Sequence, residues 1–141
     1  MTYFSFTRAE LLRRAEEIPA GAKKALLLSG EKTNPYSTMI VVAENVLGKA
    51  EVHERSADAW MVLRGQGTFI LGGRLIKPER HKEHEWLGEG IEGGTRLAVH
   101  EGDLLDIPPG IPHQIDVQTS RLELLIVKIN QLESHPYDPN I

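Results

Sequence analysis

The chain has 141 residues, of which 40% are hydrophobic and 26% charged, and a formal net charge of −4. That length fits one domain with a single core, and a negative balance without any basic cluster excludes a nucleic-acid partner held through its phosphates. There is no cysteine, which excludes disulfides, zinc–thiolate sites and thiol catalysis.

The N-terminus, MTYFSFTRAELLRRAEEI, has no basic segment followed by an apolar stretch, and the longest apolar runs, MIVVA and LELLIV, fall far short of a membrane span. The reading is a soluble, cytoplasmic protein with no membrane partner. Thr7 can cap a helix, Glu10 stands at the capping-box position and Pro19 ends the segment. Leu11, Leu12, Ala15 and Ile18 share one face of that helix; Arg13, Arg14, Glu16 and Glu17 face water. Residues 1–23 are therefore expected to form an N-terminal helical segment that packs on the remainder.

From Lys24 onward short apolar runs alternate with turn signals: ALLL, STMIVVA, AWMVL, TFIL, TRLAV, DLLDI, HQIDV and RLELLIVKI. Many short strands at this spacing predict an all-β sandwich or barrel over residues 24–131. Gly65 and Gly67 are read as the hairpin that ends the AWMVL strand. The polar, glycine-rich stretch Gly72–Gly94 is expected to be an extended loop or a hairpin extension, and residues 132–141 a tail over the surface.

Two segments carry chemistry. In AEVHERSADAWMVLRGQG, Glu51 and His53 lie two apart and share a face of a strand. Asp58 is at an odd separation from His53, so one straight strand would send it to the opposite face. A turn at ERSA would bring it back, with Trp60 and Val62 following on its side. In DIPPGIPHQID, three prolines and a glycine precede His113, a stiff turn that fixes where the next strand begins.

These segments resemble the two motifs of the cupin superfamily. The first has two histidines one residue apart, an acidic residue and a glycine seven positions further on, matched here by Glu51, His53, Asp58 and Gly65. The second has a glycine, Pro-x-Gly and a histidine, matched by Gly102, Pro108, Gly110 and His113. The match runs from Thr38 to Lys128. The resemblance implies a jelly-roll barrel (a double-stranded β-helix) with one N-terminal α-helix. It also implies one divalent metal ion held by Glu51, His53, Asp58 and His113, and a pocket lined by Trp60, Val62, Ile115 and Val117. A small-molecule ligand and a homodimer are implied as well. The family includes dioxygenases, isomerases, lyases and cyclases; the alternative is a non-catalytic module that binds or senses a sugar or metabolite.

Three positions depart from the family pattern: Glu51 replaces a histidine, Asp58 replaces the usual glutamate, and Val117 stands where asparagine is frequent. Two imidazoles and two carboxylates suit manganese, iron or zinc. They also neutralise a divalent ion fully, from which a weaker attraction for anionic substrates is expected. Other readings stand beside the metal reading: Glu51 facing solvent before a turn, Asp58 capping that turn, and both acting as an acid–base pair without metal. RHKEH, with His81, Glu83, His84 and Glu85, reads as a solvated charged loop able to act as a lid. Arg55 is expected to pair with Glu54 or Asp58 or to reach a ligand, and His100 and His135 to lie on the surface.

Overall fold

A threonine hydroxyl opens the first element. In the computed structural model, which describes residues 3–19, 21–31 and 35–141, Thr7 Oγ1 accepts the Glu10 N–H at 3.1 Å, and α1 runs Arg8–Glu16. Its apolar face buries Ala15 completely against Ile40 and Val42, with Leu11, Ile18, Leu26 and Leu28 around them. Among the described residues no helix is long and apolar enough to cross a membrane.

The strands follow as β1 (Lys23–Gly30), β2 (Tyr36–Leu47), β3 (Ala50–His53), β4 (Ala57–Leu71), β5 (Arg74–Ile76), β6 (Glu79–Lys82), β7 (Glu85–Gly88), β8 (Gly90–Glu92), β9 (Thr95–His100), β10 (Leu104–Ile107) and β11 (His113–Ile129). One sheet path runs β1-β2-β11-β3-β7-β6, while β4 pairs with β9, β10 and β11; β5 and β8 form a separate ribbon. The alternation in β2 shows how the layers form. Met39, Val41 and Ala43 enter the barrel core, whereas Ile40 and Val42, on the other face, meet the helix. Trp60, Val62, Phe69, Ile115, Val117, Leu122, Leu124 and Ile126 complete the interior.

Two expected strand boundaries are not boundaries. AWMVL and TFIL are one strand, β4, and HQIDV and RLELLIVKI are one strand, β11. Gly65 does not close a hairpin. It sits at φ +92° inside β4, where the β4–β11 register slips, and any Cβ there would run into the carbonyl of Arg121. The glycine absorbs a bend in a continuous strand. Gly72–Gly94 takes the form of hairpin extensions, and β7 pairs with β3 in the main sheet.

The C-terminal segment is pinned rather than trailing. The Tyr137 N–H donates to Glu54 Oε2 at 2.6 Å, the Leu75 N–H donates to Tyr137 Oη at 2.9 Å, and the tyrosine ring packs on Trp86. Glu54 is 3% exposed and also accepts the Trp86 indole N–H, so one buried carboxylate ties the tail to β7. Arg55 pairs with neither Glu54 nor Asp58; its Nε donates to the Leu132 carbonyl at 3.0 Å.

Two left-handed glycines, Gly65 and Gly72, separate packing from strain. Gly72, at φ +77°, has open space where a Cβ would go, whereas a Cβ on Gly65 would collide with the Arg121 carbonyl. Gly72→Ala should cost about 1 kcal/mol in urea unfolding, and Gly65→Ala about 3 kcal/mol or more. Equal costs would contradict the bend assigned to Gly65.

Candidate metal centre

The turn after β10 sets the site. Gly110 takes φ +84°, and its N–H donates to the His53 carbonyl at 2.8 Å, which docks the second motif on the first. His113, the first residue of β11, then pairs directly with Glu51 of β3. A bend at Glu54 and Arg55 separates β3 from β4, and Asp58 near the start of β4 comes back to the same interior.

The four side chains come together. Glu51 Oε2 lies 3.6 Å from His113 Nε2 and 3.9 Å from His53 Nε2. Asp58 Oδ2 lies 3.6 Å from His53 Nε2 and 3.9 Å from His113 Nε2. Two donor atoms each about 2.1 Å from one ion can stand no more than about 4.2 Å apart, and all four separations meet that limit. Glu51, His53 and His113 offer ligand atoms that all lie within 4.8 Å of one another; Asp58 stands outside this closest set.

Both imidazoles present the same nitrogen. His113 Nδ1 lies 3.0 Å from the Ile111 carbonyl, an obligate acceptor, so Nδ1 carries the proton and Nε2 carries the lone pair. That Nε2 is buried without a hydrogen-bond partner among the described residues. His53 Nδ1 lies 3.1 Å from Glu85 Oε1, which fixes the same tautomer. Two lone pairs and two carboxylates facing one point are what a divalent cation requires, so the residues present fit such an ion.

Glu85 comes from the RHKEH stretch. That stretch is strand rather than free loop at this point, and Glu85 sits opposite His53 in the β3–β7 ladder. The runs of glycine around it concealed this in the sequence. His81 lines the cavity beside Glu85, and His84 Nδ1 lies 3.6 Å from Glu54. His100 is exposed, near Asp103, and His135 is exposed.

Two lysines belong to the site and were not anticipated. Lys128 Nζ donates to Asp58 Oδ1 at 2.9 Å across the β4–β11 ladder, where the two residues are direct partners. Its signal was available: Leu122, Leu124, Ile126 and Lys128 alternate onto one face. Lys23 Nζ lies 3.7 Å from Glu51 Oε2 and 5.8 Å from the centre of the Trp60 ring. The expected neutral centre, two carboxylates against one ion, therefore omitted two ammonium groups, and the expected weakness toward anions does not follow.

These charges hold the carboxylates ionised. Burial works to raise the Glu51 carboxyl, and His113, Lys23 and His53 outweigh it, so Glu51 lies well below the usual carboxylate range. Burial acts the same way on Asp58, and Lys128, His53 and His113 override it. Glu85 is likewise lowered, to about 2, against burial, by His53 and Lys82.

A cavity of about 580 Å³ opens over the site. Of the expected pocket residues, Trp60 lines it; Val62, Ile115 and Val117 do not and lie instead in the packed core, each at most 2% exposed. They face inward as alternation requires, but a barrel this small is filled by its own side chains at that depth. Met39, Val41 and Ile126 take their place as the apolar wall.

No protein-family model matches the chain, and no curated protein does. Solved structures do match. A conserved Klebsiella pneumoniae protein with a double-stranded β-helix domain superposes with a TM-score of 0.62 at 15% identity, over 95% of each chain. A cupin 2 conserved barrel domain protein from Rhodopseudomonas palustris gives 0.53 at 22% identity, over 85% of this chain and 68% of that one. The fold is that of the cupins. A third cupin-fold match, the DMSP lyase DddQ from Ruegeria pomeroyi, gives 0.57 at 16% identity over 81% of this chain; the chain spans half the length of that enzyme.

The Glu85–His53 contact sets a pH dependence. The lowered Glu85 carboxyl adds stability that is fully present above its ordinary value of 4.5 and is lost as pH falls toward about 2. Urea unfolding of the metal-free protein should weaken over that interval, and Glu85→Gln should show a shallower fall. The same slope in both proteins would contradict the contact.

Proposed function

We propose that this chain is a metal-dependent protein of the cupin fold that takes a small polar or carbonyl-containing metabolite into the barrel cavity. One divalent ion would be held by Glu51, His53 and His113, with Asp58 as the fourth donor. The observation that carries this reading is His113 Nε2: a buried lone pair, unpartnered among the described residues, with Glu51 and Asp58 carboxylate oxygens at 3.6 and 3.9 Å. A buried polar atom without a partner is costly, and a cation between these groups removes that cost.

Manganese, iron and zinc all suit nitrogen and oxygen donors; two imidazoles and a carboxylate with positions left open is the pattern of non-haem iron(II) sites. When bound, such an ion polarises a carbonyl or activates water or dioxygen. The chain's own residues supply the rest. Glu85 and the Ile111 carbonyl hold the two imidazole tautomers. Lys128 orients Asp58 and keeps it ionised. Met39, Val41, Trp60 and Ile126 form the apolar side of the cavity and exclude water there. The similarity in fold to a DMSP lyase supports catalysis on a small metabolite as one use of such a cavity.

Elemental analysis of protein purified without added metal tests the reading. Wild type should carry about one equivalent of a divalent metal per chain, lost in His53→Ala and in His113→Ala, and Glu85→Gln should weaken its affinity about 10- to 100-fold. Equal metal in all of these proteins, or none in wild type after reloading, would remove the proposed centre.

A further inference from the structure

The cavity carries more positive charge than its carboxylates neutralise. Four lysines line it, Lys23, Lys49, Lys82 and Lys128, against three acidic residues, Glu51, Asp58 and Glu85. They are not equivalent. Lys128 is committed to Asp58 at 2.9 Å and Lys82 to Glu85 at 3.2 Å. Lys49 stands exposed at the rim with no carboxylate partner among the described residues. Lys23 is 3.7 Å from Glu51, beyond hydrogen-bond length, with its ammonium group over the Trp60 ring. Among the described residues it makes this ion pair but no hydrogen bond, so its N–H donors remain to be offered to a ligand.

From this arrangement we propose that the cavity selects small organic monocarboxylates, with Lys23 as the residue that reads the anionic group and Met39, Val41 and Ile126 as the wall for the apolar part. The inference rests on the reading of this cavity as a small-molecule site and deepens it. Lys128 acts differently. By neutralising Asp58 it prevents that buried carboxylate from repelling an incoming anion. Any cation at the centre adds to the attraction and opposes none of it.

The lining also argues against phosphates. Among the described residues it contains no arginine, the side chain whose planar fork suits phosphate oxygens. Three carboxylates close by also oppose a dianion more than a monoanion.

Binding of butyrate, butyramide and propyl phosphate, followed by tryptophan fluorescence or by chemical-shift titration, tests the proposal. It is done on metal-loaded and on chelator-treated protein. Butyrate should bind about tenfold more tightly than its neutral amide, more tightly than the phosphate ester, and with an advantage that shrinks as salt is raised. Lys23→Met keeps the stem of the side chain; it should abolish the preference over the amide on chelator-treated protein, where a change in metal affinity through Glu51 has no part in the result. Lys49→Met should reduce the preference only slightly. Equal affinity for butyrate and butyramide in wild type, a preference that survives Lys23→Met, or tighter binding of the phosphate ester would each overturn the proposal. If wild type takes up no metal yet keeps a Lys23-dependent preference, the metal centre fails and this inference stands. Full metal loading without the preference fails this inference alone.

Discussion

The pairing of His113 with Glu51 is the constraint on which the rest of the site depends. β11 begins at His113, and its first residue lies opposite a carboxylate of β3. The Gly110 N–H, bonded to the His53 carbonyl, fastens the preceding turn to the end of that same strand. Two segments some sixty residues apart in sequence are thus locked together at the backbone, before any side chain contributes. The prolines limit the turn's alternatives and the glycine takes the left-handed conformation the turn requires. Side chains that would otherwise be scattered over two strands are aimed at one volume.

Aiming four ionisable groups into a barrel has an energetic cost, and the two lysines offset it. A buried carboxylate without a partner is unstable in its charged form. Lys128, placed directly across the ladder from Asp58, and Lys23, beside Glu51, keep both carboxylates ionised and available as donors. The same groups give the cavity its sign. A formal count of ligands alone makes the centre neutral; with the surrounding ammonium groups included it favours anions. Stability of the carboxylates and choice of ligand are two consequences of one arrangement of charge.

Local chemistry was legible in the sequence wherever it was dense. Thr7 and Ala15 in the helix and the turn holding Pro108, Pro109 and Gly110 each follow from residue type and spacing, and so does the shared face of Glu51 and His53. What was not legible depended on partners distant in sequence. Gly65 has turn chemistry, yet its use is set by the Arg121 carbonyl of β11. Glu85 looked like one charge among many in a polar stretch, and only the β3–β7 register places it on His53. Val62, Ile115 and Val117 face inward as expected, but depth along the barrel, which alternation does not encode, puts them in the core and leaves the cavity wall to Met39, Val41 and Ile126.

The most direct measurement is the tautomeric state of the two imidazoles by nitrogen–proton NMR correlation, without metal and during zinc titration. Both His53 and His113 should be protonated at Nδ1 in the neutral form, and both Nε2 resonances should shift together as one equivalent of zinc is added, with Nδ1 still protonated. An Nε2-protonated tautomer at either residue, or a zinc response confined to one ring, would contradict a common centre between the two strands.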